Sequence, residues 1–151
     1  MDIYSKPVRP LWQTDVLIIG SGSAGSTAAL AAAQAGASVT IIERYGFMGG
    51  ISTQVLDTFY GFYTPGAQPR KVVGGIPDRV VDELMKRGMA LIRPNTYGAG
   101  NGITYDPETL KIVWEMLAQQ AGVRLLFHTL VVDAIMKDDR ICGVVAVGKG
   151  G

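Results

Sequence analysis

The chain has 151 residues, 48% apolar and 18% charged, the size of one ordinary domain with enough apolar surface to bury a core. Fourteen basic and 13 acidic side chains leave a formal net charge of +1, which excludes a strong field for nucleic acid or an anionic membrane and points to a small-molecule substrate. A single cysteine, Cys142, excludes an intrachain disulfide, a CxxC redox pair and a cysteine zinc site, and it fits a reducing cytoplasm.

Residues 1–14 form a polar, proline-containing lead with no basic segment followed by a long apolar run, so neither export nor membrane insertion is expected. Residues 15–151 are read as one domain. Asp15 to Ile19 is a short, continuously apolar run of the kind found in buried parallel strands, and it stops at Gly20. From Ala24 to Ala35 the composition turns to strong helix formers, with Gly36 placed to end the helix in a left-handed conformation. Ala37 to Ile42 is β-branched and apolar and closes on Glu43-Arg44. Strand, helix and strand in so short a span make a βαβ unit.

Residues 45–73 carry scattered Gly, Pro and aromatic residues without periodicity and read as a long irregular loop. Ile76 to Lys86 has helical spacing, after which the glycine-rich stretch from Arg93 to Thr104 interrupts. Asp106-Pro107-Glu108 is a helix start, and apolar positions continue to Ala121 before Gly122 stops them. Val123 to Phe127 reads as a third buried strand, and Leu130 to Met136 and Ile141 to Val147 as two strands flanking the turn at 137–140.

The chemistry lies in Gly20-Ser-Gly22-Ser-Ala-Gly25. A GxGxxG match is weak alone, but this one leaves a strand, opens a helix, and is followed 23 positions after Gly20 by Glu43 at the end of the next strand. Gly20 permits the tight turn, Gly22 lets backbone approach a pyrophosphate, and Gly25 lets the helix pack on the sheet. The amides around Ser23 and Ala24 would face the phosphates, helped by the helix dipole, while Glu43 accepts hydrogen bonds from the adenosine ribose hydroxyls. The plainer reading, a tight turn beside a solvated strand-end charge, requires the joint spacing to be coincidence. An NAD-dependent dehydrogenase uses the same fingerprint, and a non-catalytic nucleotide-binding subunit of a larger complex would too.

The segment DVLIIGSGSAGSTAALAAAQAGASVTIIER followed by Gly46-Phe-Met-Gly49-Gly50-Ile-Ser52-Thr53 resembles the FAD-dependent oxidoreductases, in which a Gly-Gly-xx-Thr loop follows the acidic residue. The resemblance implies an α/β, Rossmann-like FAD-binding domain with a parallel sheet and a β-meander. It implies FAD as cofactor, with Gly49, Gly50, Ser52 and Thr53 beside the pyrophosphate and ribityl chain and Arg44 at the adenosine end. It also puts the backbone of Val131, or Val132 one step on, against the adenine. The later segment that closes the FAD site in this family, and its substrate domain, have no counterpart here, so a carboxyl-terminal region or a partner chain is expected to complete the site.

No catalytic residue can be named from the sequence. His128 is expected to be structural or at the surface, and Cys142 a small core residue. Phe59, Tyr60, Phe62 and Tyr63 are expected to fill a core under the loop, and Arg70-Lys71 to be a solvated pair.

Overall fold

The computed structural model describes residues 7, 10–55, 58–94 and 100–149. In chain order its elements are β1 (Val16–Ile19), α1 (Ser23–Gln34), β2 (Val39–Ile42), α2 (Ile51–Gln54), β3 (Phe59–Tyr60), α3 (Ile76–Lys86), β4 (Ala90–Arg93), β5 (Gly102–Tyr105), α4 (Pro107–Gln120), β6 (Arg124–Leu126), β7 (Leu130–Lys137) and β8 (Arg140–Val147). The parallel sheet has the order β1-β2-β6, with Val16 opposite Val39, and Thr40 opposite Arg124. It is the expected βαβ unit with the third strand laid beside the second. β2 sits centrally and all four of its residues are buried, which is why it reads as an unbroken apolar run.

The three long helices stop in the same way. Gly36, Gly88 and Gly122 have φ of +90°, +68° and +75°, a conformation glycine adopts without steric cost. Beyond each, an amide reaches back five residues: Ala37 to the Ala32 carbonyl at 3.2 Å, Met89 to Leu84 at 2.9 Å and Val123 to Ala118 at 2.9 Å. At its start α4 has the expected cap, the Asp106 carboxylate accepting the Thr109 N–H at 2.7 Å. The main core joins Ala29 and Leu30 of α1, Val39 and Ile41 of β2, Val80 and Leu84 of α3 and Leu110, Val113, Trp114 and Leu117 of α4.

The irregular loop expected at residues 45–73 and the glycine-rich stretch at 93–104 are partly ordered. β3, β5 and β4 form a small antiparallel sheet, with Phe59 opposite Thr104 and Leu91 opposite Thr104 from the other side. Its core is Phe62, Val81 and Ile103, and Tyr60 stacks between Phe62 at 5.2 Å and Tyr105 at 4.3 Å. So Tyr60 and Phe62 fill a core, whereas Phe59 is exposed and covers Gly102. Strands of two and four residues leave no periodic trace, and β3 finds its partner β5 only some forty residues on, so the sequence carries no local signal of the sheet. Part of the glycine-rich stretch, residues 95–99, lies outside the described residues.

β7 and β8 form a hairpin turning at Asp138-Asp139, with a bulge at Val132 between the Val131–Ala146 and Asp133–Val145 pairs. It stands as a two-stranded ribbon, and Cys142 is exposed on it, which corrects the expectation of a core residue. The reason is that among the described residues no second layer covers the ribbon, so an apolar strand sequence there does not imply burial. Lys71 is exposed, as expected, and pairs at the surface with Asp78 at the start of α3. Among the described residues nothing pairs with the outer edge of β1, and its last residue, Ile19, is 60% exposed. No described helix is long and apolar enough to cross a membrane.

Candidate cofactor-binding site

Every residue singled out in the two glycine loops converges on the carboxyl end of β1 and β2. Glu43 follows β2 and continues the ladder, its N–H donating to the Leu126 carbonyl at 2.9 Å and its carbonyl accepting the Thr129 N–H at 3.0 Å. Its side chain is buried and turned toward the β1–α1 turn. Oε2 accepts the Ser21 N–H at 2.7 Å and the Ser21 hydroxyl at 2.8 Å, and Oε1 accepts the Tyr45 N–H at 2.9 Å. Burial pushes the carboxyl pKa up, but hydrogen bonds from the Ser21 amide, the Tyr45 amide, the Ser21 hydroxyl and the Arg44 amide outweigh it. The net shift is below the ordinary value, so Glu43 is ionised at neutral pH.

Ser21, which the motif treats as a free position, is the hub of this turn. It is fully buried, and its carbonyl accepts both the Ser26 hydroxyl at 2.8 Å and the Gly49 N–H at 2.8 Å. Ser21 and Ser26 were missed in the sequence. The available signal was a buried-side hydroxyl in the first turn of an otherwise alanine-rich helix, which needs a partner when removed from water.

The three motif glycines have three separate causes. Gly20 has φ of +90° and donates to the Ile42 carbonyl at 2.8 Å, so it is fixed by backbone conformation. At Gly25 a Cβ would lie 2.0 Å from the Gly20 carbonyl oxygen, so this glycine is fixed by packing of α1 on the turn. Gly22 is different. Its φ of −63° and ψ of 178° suit any residue, and a Cβ there would meet no protein atom within 4 Å. The space in front of Gly22 is open, and no side chain caps α1, whose first-turn residues Ser23 and Ala24 are exposed. An uncapped helix start with amides facing open space, beside a backbone position free of any side chain, fits a diphosphate.

The second loop is docked on the first. Gly49 bridges Gly22 in parallel fashion, and a Cβ on Gly50 would lie 2.7 Å from the Gly22 Cα. Gly49 and Gly50 have φ of +110° and +57°, so neither tolerates a side chain in this path. Ser52 is buried, with its hydroxyl 3.4 Å from that of Ser23 across the two loops. Thr53 is placed one layer back: its hydroxyl donates to the Met48 carbonyl at 2.8 Å and so holds the loop's shape.

Arg44 lies at the surface past Glu43, its Nη2 donating to the Tyr45 hydroxyl at 2.7 Å. His128 has a left-handed φ of 53°, donates its N–H to the Tyr45 carbonyl at 3.1 Å and presses its ring against Gly46. This is a structural placement. Val131 is half-buried on β7, two residues past Thr129, and precedes the bulge that frees the ladder at Val132.

Residues 15–151 match the model of a family described as FAD dependent oxidoreductase. A thiamine thiazole synthase of Aeropyrum pernix is 29% identical over 146 residues, covering 96% of this chain and 48% of that protein. Among solved structures, the THI4 protein of Thermovibrio ammonificans superposes with a TM-score of 0.59 at 21% identity, covering 89% of this chain and 48% of that one. The 3-ketosteroid-delta4-(5alpha)-dehydrogenase of Rhodococcus jostii RHA1 gives a TM-score of 0.58 at 18% identity, over 91% of this chain and 42% of that one. At such identities the structural likeness is one of fold. The chain spans about half the length of the curated relatives it matches. Of the two cofactors compatible with the fingerprint, the family takes FAD. The βαβ unit with its two docked glycine loops and the match over residues 15–151 together place the chain in the FAD dependent oxidoreductase family.

Proposed function

We propose that residues 15–151 form the portion of a flavoenzyme that holds the adenosine diphosphate end of FAD, and that the enzyme oxidises or reduces a small organic molecule. When bound, FAD supplies a ring that takes up or gives a hydride. The protein's own contribution in this region is binding and orientation. Gly22 leaves room for the diphosphate, the amides of Ser23 and Ala24 would donate to its oxygens, and the Ser23 hydroxyl, 3.4 Å from that of Ser52, would lie beside it. Glu43, ionised and already fixed on Ser21, has remaining acceptor capacity for the ribose hydroxyls. Val131 would meet the adenine through its backbone, and Arg44 would lie over the adenosine end.

The observation that carries the reading is the open side of Gly22 in front of an uncapped α1, next to a buried carboxylate. A site completed by a further region or a partner chain is supported by the span of about half of each relative, and by the unpaired outer edge of β1 among the described residues. The test is to purify the protein with any co-purifying partner and titrate it with FAD and, separately, NAD. Retention of FAD, with absorbance near about 450 nm, supports the reading. Retention of NAD alone, or of neither, refutes it.

A further inference from the structure

The loop from Glu43 to Gly49 must carry the second glycine pair onto Gly22, yet it bends without helix or strand. Its two ends are anchored, at Glu43 by Ser21 and at Gly49 by the 2.8 Å bond to the Ser21 carbonyl. Between them, side chains alternate across the loop. Met48 points inward and is 1% exposed, while Tyr45 and Phe47, two apart, stack with centroids at 5.8 Å and planes 13° apart. Each end of that stack carries a cation. The Arg44 guanidinium lies 4.6 Å from the Tyr45 centroid, and Lys111 Nζ, from α4, lies 4.2 Å from the Phe47 centroid.

We infer that this cation–π ladder fixes the Gly49–Gly50 backbone against Gly22, making Phe47 and Lys111 positioning residues for the dinucleotide. Lys111 is the member that matters most, because it alone comes from outside the loop. Its helix is anchored in the main core by the flanking Leu110 and Val113, and its side chain is only 19% exposed and further held by Glu108 at 2.6 Å. Cation–π contacts strengthen when desolvated, so this one outweighs the surface contact at Arg44. A loop that leaves its place for part of the time lowers apparent cofactor affinity in proportion to the time spent away.

The inference rests on the FAD reading, and two readouts separate the two. The first needs no cofactor. In the full chain, Phe47→Leu and Lys111→Met should each speed amide exchange at Gly49 about five- to tenfold, leaving amides of α3 unchanged, while Lys111→Arg and Phe47→Trp restore protection. The second is FAD affinity, which should fall by less than the rise in exchange, up to about threefold in either variant, with the double variant no worse than the single ones. Unaltered exchange at Gly49 overturns the inference, as do fully additive losses, which would make Lys111 an independent charge. Glu43→Ala is the reference: if it leaves FAD affinity intact, the FAD reading itself fails and the exchange arm alone decides the ladder.

Discussion

Replacing Gly22 with alanine separates a ligand requirement from a folding requirement at a single methyl group. At φ −63° and ψ 178° alanine is unstrained, and its Cβ would meet nothing within 4 Å. As the helix N-cap, alanine is poorer than glycine by about 0.5 kcal/mol, while the reduced freedom of the unfolded chain returns about 0.4–1 kcal/mol. Stability should therefore change by no more than about 0.5 kcal/mol, a Tm shift of roughly 2 °C or less for a chain of this size. The methyl would occupy the space in which the diphosphate must lie close to backbone. Forcing one extra methylene into a filled site costs about 1–3 kcal/mol, so FAD affinity should fall about five- to 150-fold. Thermal unfolding without ligand and an FAD titration, run on the same sample, make the comparison. Affinity within threefold of the parent chain would mean that nothing occupies the space in front of Gly22. The neighbouring Gly25→Ala provides the contrast, since its Cβ would sit 2.0 Å from the Gly20 carbonyl oxygen and the turn itself must yield.

Glu43→Ala removes the acceptor of three protein hydrogen bonds as well as the ribose partner, and should abolish detectable FAD retention in dialysis while lowering the Tm. The Glu43 pKa is lowered by folding, so its contribution to stability is complete above the ordinary value of 4.5 and is lost as pH falls through the folded-state value. Acid unfolding followed by circular dichroism should show a shallower loss in Glu43→Gln than in the parent chain. Ser26→Ala leaves the buried Ser21 carbonyl with one donor fewer and should cost about 1 kcal/mol in denaturant unfolding, with FAD affinity reduced less than by Gly22→Ala. Thr40 is buried at the centre of β2 with its hydroxyl unpaired among the described residues, so Thr40→Val should raise stability by about 1 kcal/mol, read as a Tm increase of about 2–4 °C.

The features legible in the sequence are those whose cause lies within a few residues. The glycine stops of α1 and α4, the Asp106 cap, the turn at Gly20 and the strand end at Glu43 each depend on local conformation or on fixed spacing, and each leaves its own signature. The direction of the Glu43 side chain was only half legible. Its place at the strand end follows from the pattern, but its engagement with Ser21 requires β1 and β2 to be paired in the register Ile19 to Ile42.

Sequence by itself determined the βαβ unit and a dinucleotide fingerprint, because backbone conformation and hydrophobic periodicity act over short stretches, while the second glycine loop and FAD came from the resemblance to a family. Only the tertiary structure decided that Ser21 joins both loops to Glu43, that the Thr53 hydroxyl bonds to the Met48 carbonyl, that β3, β5 and β4 form a sheet, and that Cys142 is exposed. The Ser21–Glu43 contact and the β3–β5 pairing join segments more than twenty residues apart, and the exposure of Cys142 depends on which layer covers which face. No spacing rule records such contacts, since the packing of side chains in three dimensions sets them.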